Sequence, residues 1–342
     1  MSKDGRLFAT GSSSGCVKIW TATGSCIWTF EAHSDMVVST QFSTDSQMLA
    51  SWSHDRRIKI WNLARGVCKN ILECRGESIL ALSFSEDDRF LVAGSYDKNI
   101  DLWDTIHGSL LRRFEGHSDG VSALTFSSSR KWLVSGSILR GEIKIWDLGH
   151  GECLQTFIGH DDSVSAVAMP SVGSRLASSS CDGSIKVWDL SGRPMLIRTF
   201  HSRVLPTSLA FNSAESDSLK TNIGTLCIDQ QGLIDTQPTY AFFEDVTLRG
   251  WGVDSKSRWI LKGGNRVFQL PKKYHPSHYC LQQSTLAVGT CSGDLLLAHL
   301  PSRSLHNIEN SLTGRAFPGY GWDIKYEQER AMMVLEQAES PE

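Results

Sequence analysis

The chain of 342 residues contains no run of eighteen apolar residues, so no segment is long enough to cross a bilayer as a helix. Its first residues, MSKDGRLFAT, hold no apolar signal core, and no secretion signal is expected. There is no Asn-x-Ser/Thr sequon. The nine cysteines (Cys16, Cys26, Cys68, Cys74, Cys153, Cys181, Cys227, Cys280, Cys291) include no C-x-x-C pair. An odd, scattered set of this kind implies reduced thiols and a cytoplasmic protein. Charge of either sign is not in excess: 34 Lys and Arg against 37 Asp and Glu leave −3. A dedicated nucleic-acid binder would carry a basic surplus, so no nucleic-acid partner is expected. No G-x-x-x-x-G-K-[ST] phosphate loop occurs, and no sustained helical period appears before residue 320. Gly-rich phosphate binding needs a following helix, so nucleotide chemistry has no scaffold here. No cofactor is implied. Hydrophobic residues at 40% and charged residues at 21% exclude a disordered chain.

Tryptophan is what the chain has in abundance, with eleven residues, several of them at a fixed interval. Trp20, Trp61, Trp103, Trp146 and Trp188 are 41, 42, 43 and 42 residues apart. Each closes a similar phrase: GSSSGCVKIW, SWSHDRRIKIW, AGSYDKNIDLW, SGSILRGEIKIW and SSSCDGSIKVW. A second marker follows most of them, as EAHSD at 31–35, EGHSDG at 115–120 and IGHDDS at 158–163. Within a repeat, short runs rich in β-branched residues, such as 121–126 and 143–146, alternate with Asp-Gly, Gly-Ser and Ser-Asp turns. Each repeat therefore holds about four short strands.

These phrases resemble the WD40 repeat, which runs from Gly-His to Trp-Asp over about 40–45 residues. Trp103-Asp104, Trp146-Asp147 and Trp188-Asp189 are the Trp-Asp pairs, and Trp61-Asn62 and Trp20-Thr21 are degenerate ones. The resemblance implies an all-β fold, a WD40 β-propeller of seven blades (alternatively eight), each a four-stranded antiparallel sheet. It covers residues 5–201 clearly, 202–300 as degenerate blades, and makes 1–300 one propeller. It also implies a hydrogen-bonded set of His, Ser or Thr, Asp and Trp in each blade. Carried over, the second blade has His33, Ser53, Asp55 and Trp61, and the fifth has His160, Ser180, Asp182 and Trp188. The third has Ser95, Asp97 and Trp103, with Arg75 where His is expected. The fourth has His117, Ser137 and Trp146, with Arg140 near the Asp position. The third and fourth blades are therefore expected to be looser. Family propellers dock partners on the rim, where side chains flank the turn Asp or follow the Gly-His pair. That places Trp52, His54, Tyr96, Arg140, Cys181, Asp35, Met36, Glu77, Asp119, Asp161 and Asp162 on the candidate rim. Their mixture of aromatic and acidic groups suits a protein or peptide of basic character.

The second half adds hairpins at 219–228, 258–269 and 286–298, with an inner strand at 206–211. The phrase at 259–300 resembles the end of WD40 arrays in filamentous-fungal NACHT and heterokaryon-incompatibility proteins, without their nucleotide-binding module. The first blade lacks an inner strand. Either the C-terminal region supplies it, or the chain is a piece of a longer protein. Residues 301–342 form a tail, partly helical or disordered, with a helix expected over 323–337.

Catalytic and metal readings are weaker. Ser53, His54 and Asp55 look like parts of a charge-relay set, but their equivalents recur in other repeats and belong to the scaffold. His275, His278, Cys280 and Cys291 lack the tight spacing of a zinc site. The expected function is a non-enzymatic interaction scaffold or sensor, with no metal and no catalytic residue. A WD40 adaptor of an organelle assembly, as in mitochondrial fission, is the alternative.

Overall fold

The computed structural model describes residues 1–228, with breaks at 75–77, 128–130, 203 and 213–214, and the strands and some turns between 240 and 335. No helix occurs among the described residues. The first sheet is β1 (Leu7–Gly11), β2 (Cys16–Thr21) and β3 (Cys26–Glu31). The second is β4 (Val37–Phe42), β5 (Met48–Ser53), β6 (Arg57–Asn62) and β7 (Val67–Glu73). The third is β8 (Ile79–Phe84), β9 (Phe90–Ser95), β10 (Ile100–Asp104) and β11 (Leu110–Phe114). The fourth is β12 (Val121–Phe126), β13 (Trp132–Ser137), β14 (Glu142–Asp147) and β15 (Cys153–Ile158). The fifth is β16 (Val164–Ala168), β17 (Arg175–Ser180), β18 (Ser184–Asp189) and β19 (Met195–His201).

Shorter sheets follow. They are β20 (Leu209–Asn212), β21 (Glu215–Thr221) and β22 (Gly224–Cys227), then, after β23 (Tyr240–Phe242), β24 (Trp251–Asp254), β25 (Trp259–Lys262) and β26 (Asn265–Gln269). The last sheet is β27 (His278–Gln282), β28 (Thr285–Gly289) and β29 (Leu295–His299), extended by β30 (Trp322–Glu327) and β31 (Arg330–Leu335). The eight sheets among the described residues are in keeping with the expected seven or eight blades, and the three hairpins of the second half form where the sequence placed them.

The core lies in the seams between sheets. In each of the four-strand repeats the second strand (β5, β9, β13, β17) is buried from its second residue to its last, because both faces meet a neighbouring sheet. After a leading Leu, or Leu-Val, these strands carry mostly Ala, Gly and Ser, which lets adjacent blades approach. Each seam is one apolar cluster. Val17 and Ile19 pack with Leu49 and Trp61, Val92 and Ile100 with Leu133 and Trp146, and Ala177 and Ile185 with Leu219 and Leu226. Phe8 and Trp20 of the first sheet pack against Ala287 and Leu297 of the last, which joins the two ends of the array.

The expected tail helix is not formed. Residues 322–327 and 330–335 make an antiparallel hairpin whose β31 runs parallel to β29. The sequence Trp322-Asp-Ile-Lys-Tyr-Glu327 alternates apolar and polar, a period of two that fits a strand. This hairpin extends the outer side of the last sheet and adds no strand to β1.

Candidate functional site

The turn residues and tryptophans of the repeats meet in a buried relay. In the second blade the Trp61 indole N–H donates to Ser51 Oγ over 2.9 Å. Ser51 Oγ lies 2.8 Å from His33 Nε2, and His33 Nδ1 lies 2.9 Å from Asp55 Oδ2. A carboxylate only accepts, so Nδ1 carries the proton and Ser51 O–H donates to Nε2. The fifth blade repeats this with Trp188, Ser178, His160 and Asp182, at 2.8, 2.7 and 3.0 Å. Ser, His and Asp have here the hydrogen-bond order of a nucleophilic triad. Ser51 and Ser178 are nonetheless fully buried, and each already accepts an indole N–H. The set ties two strands, the turn between them and the loop that enters the blade together.

The serine differs from the one expected. Trp61 sits directly opposite Leu49, and Ser51 is the diagonal neighbour on the same face. Ser53 lies one further step along, beyond reach of the indole. It serves the turn instead: Ser53 O–H donates to Asp35 O, and Ser180 O–H to Asp162 O. Ser137 O–H donates to Leu139 O, and Ser95 O–H to the Asp97 carboxylate.

The fourth blade is complete, contrary to expectation. Glu142 takes the role of Asp: its Oε2 accepts from His117 Nδ1 at 2.8 Å and from the Ser118 N–H at 3.1 Å. Its longer side chain spans the extra residue at Leu139-Arg140, and Ser135 joins His117 to Trp146. The third blade is incomplete for a second reason. Ala93 stands where the others have serine, and the buried Trp103 Nε1 has no partner among the described residues. In the first blade Thr10 replaces the serine and accepts from Trp20 at 3.0 Å.

Electrostatics follow the burial. Desolvation lowers the pKa of His33 and of His117 against the pull of Asp55 and Glu142. Asp55, Glu142 and Asp182 are held below the ordinary carboxylate range: hydrogen bonds from the histidines and from loop groups outweigh their own burial. A histidine depressed below 6.5 disfavours acid in the folded state, so its contribution is whole above 6.5 and declines as pH falls below it. The depressed carboxylates lose their contribution at lower pH, from 3.8 (Asp) or 4.5 (Glu) downward. Both act in one direction. The melting temperature is expected to fall as pH drops below 6.5, and further below about 4.5, in a calorimetric series, and a flat profile from pH 6.5 to pH 3 would contradict the assignment.

The rim is built by one repeated backbone bond. The N–H groups of His54, Tyr96, Ile138 and Cys181 donate to the carbonyls of Met36, Ser78, Gly120 and Ser163, at 2.8–3.2 Å. This fixes the four side chains at equivalent places beside the loop that enters each blade. His54, Tyr96, Cys181 and Arg140 are exposed, as are Asp35, Met36, Asp161 and Asp162, and Asp119 is half-buried. Arg140 adopts φ 63° in the inserted turn, so Ile138 and not Arg140 is the counterpart of His54. The carboxylates of Asp35, Asp119 and Asp162 each accept from the next backbone N–H, at 2.6–2.7 Å. Tyr96 and Leu139 are 52% and 53% exposed, which leaves apolar surface beside these acids.

Trp52 is not on the rim. It is 3% exposed and packs with Ala50, Ile58, Leu72 and Ile79 in the seam between the second and third blades. Gly11, Gly94 and Gly136 occupy its place elsewhere, where a Cβ would strike Val37, Val121 or Val164 of the next blade. Glu77, His275 and Cys291 lie outside the described residues.

The sequence reading passed over the serines that shape the turn after each first strand. Ser43 Oγ accepts from the Met48 N–H at 2.8 Å and donates to Asp45, and Ser85 does the same with Phe90 and Asp87. Ser2 repeats it with Leu7 and Asp4. The recurring Ser-x-Asp at 2–4, 43–45 and 85–87 is the signal that reveals them.

Comparison with known proteins agrees with this architecture. The family model of the WD domain, G-beta repeat, matches residues 1–21, 24–62, 66–104, 108–147 and 151–189, more than half of the chain. A bromodomain and WD repeat-containing protein of Dictyostelium discoideum is 42% identical over 62 residues, 18% of this chain and 3% of that protein. The nuclear distribution protein PAC1 of Candida tropicalis is 41% identical over 61 residues, 18% of this chain and 12% of that protein. This chain thus spans only a small part of these curated relatives. Among solved structures, that of U3-55K has a TM-score of 0.56 and the RRP9 WD40 repeats 0.57. Both are 24% identical, cover 65% of this chain and 71% of the other, and share the fold. This chain belongs to the WD40-repeat family.

Proposed function

We propose that the propeller is a protein-interaction scaffold whose docking face is the rim around Tyr96. The observation that carries this is the exposed Tyr96 and Leu139 on a rim whose entering loops also carry Asp35, Asp119, Asp161 and Asp162. A rim of exposed apolar and acidic groups suits a partner segment that offers an apolar anchor flanked by Lys or Arg. The buried relay behind it holds the loops in place and does no chemistry of its own. The finer form of the reading, the sensing part of a NACHT-type receptor, is supported by the resemblance of residues 259–300.

A peptide array pairing aromatic and basic residues, read by fluorescence anisotropy, tests this. Tyr96→Ala is expected to weaken the bound peptides by about 2 kcal/mol. Asp161→Lys together with Asp162→Lys is expected to slow association and flatten its salt dependence. Unchanged affinity in both variants would place the docking face elsewhere.

A further inference from the structure

The chain treats the outer edges of its blades differently. On the fifth blade, β23 pairs parallel to β19 at Thr199, Phe200 and His201. On the last, β31 pairs parallel to β29. Two outer edges are thus closed by extended segments of the chain itself, both added in parallel.

The outer strands of the first four blades, β3, β7, β11 and β15, are edges in their sheets. Three of them carry charge: Glu31 on β3, Lys69 and Glu73 on β7, and Arg112 and Arg113 on β11. Charge on an edge strand opposes the addition of another strand. The fourth, Cys153-Leu-Gln-Thr-Phe-Ile158, has no charge and no proline. Ile158 is 68% exposed on it, and Leu154, at the register shift of the strand, is 47% exposed. Its register matches that of β19. Thr156 and Phe157 face Lys144 and Ile143 as Thr199 and Phe200 face Lys186 and Ile185. The Thr199–His201 triplet is covered by β23, and its counterpart Thr156–Ile158 pairs with no further strand among the described residues.

We propose that β15 is a second docking site, which takes an extended, uncharged strand of a partner protein in parallel, with apolar side chains at alternate positions. Such a strand gains main-chain hydrogen bonds along the edge and seats its apolar residues against Leu154 and Ile158. The alternation Tyr240-Ala-Phe242 of β23 is the internal pattern for it. A second copy of this chain fits less well. A two-fold dimer would pair β15 antiparallel with itself, whereas both occupied edges are filled in parallel.

The probe is a labelled peptide, Thr-Tyr-Ala-Phe-Phe, which copies residues 239–243. It is titrated against the whole chain by anisotropy, with amide hydrogen exchange of 153–158 as the second readout. The expected result is binding that slows exchange in β15 at least about tenfold. Ile158→Glu, which restores the charge seen at Glu31 and Glu73, is expected to weaken that binding about tenfold or more. Ile158 is exposed, and an unchanged melting temperature confirms that the variant folds. Three results overturn the proposal: protection at β19 alone, equal binding by the Glu variant, or a dimer of the free chain that this substitution dissociates.

Discussion

Trp52→Ala is expected to destabilise the chain by about 3–5 kcal/mol, the range for removing a large buried aromatic from a core. Trp52 is 3% exposed and fills the seam between the second and third blades, against Ile58, Leu72 and Ile79. The first, third and fourth blades reach the same close approach with Gly11, Gly94 and Gly136, and the fifth has the small Ser179 there. The seam at Trp52 is therefore shaped around an indole, and alanine leaves a void that two rigid sheets cannot collapse to fill. Urea unfolding followed by tryptophan fluorescence measures the loss. A change below about 1 kcal/mol would fit a surface residue and return Trp52 to the rim. Peptide binding at the Tyr96 face should be unchanged under conditions where the variant remains folded.

The second large effect is expected at Ser178→Ala, about 2–6 kcal/mol. Removing the hydroxyl strips one partner from the Trp188 N–H and one from His160 Nε2, both deeply buried. Each orphaned buried group costs about 1–3 kcal/mol, and water cannot enter to replace the bond. Ser180→Ala, two residues away, should cost only about 1 kcal/mol, since Ser180 bonds a loop carbonyl near the surface. The third blade offers the mirror test. Ala93→Ser places a hydroxyl beside Trp103 Nε1 and is expected to raise the unfolding midpoint by the equivalent of about 1 kcal/mol. Equal losses at Ser178 and Ser180 would falsify the diagonal geometry of the relay.

Much of this architecture was legible in the residues. The tryptophan interval and the turn clusters specify the strands, because alternation and turn chemistry are local and repeat five times. The hairpins at 219–228, 258–269 and 286–298 followed from the same cues. The relay was legible in its residue types but not in its partners. Ser51 and Ser53 share one face of β5, and their types do not distinguish them. Only the pairing of β5 with β6, which sets Trp61 opposite Leu49, brings Ser51 within reach. Glu142 escaped because the inserted residue in its turn displaces the carboxylate from its usual place. The hairpin at 322–335 was hidden because a segment rich in Glu, Met and Gln suits a helix by propensity, while its pairing partner β29 lies outside the segment.

By itself the sequence determined the class of the fold, the length of its repeat and the residue types from which most blades are tied, since these depend on periodicity along one strand. The tertiary structure decided which serine bonds which indole, that Trp52 faces the neighbouring blade, and which outer edges are covered. Those depend on register between strands and on contact between sheets, where residues distant in the chain meet.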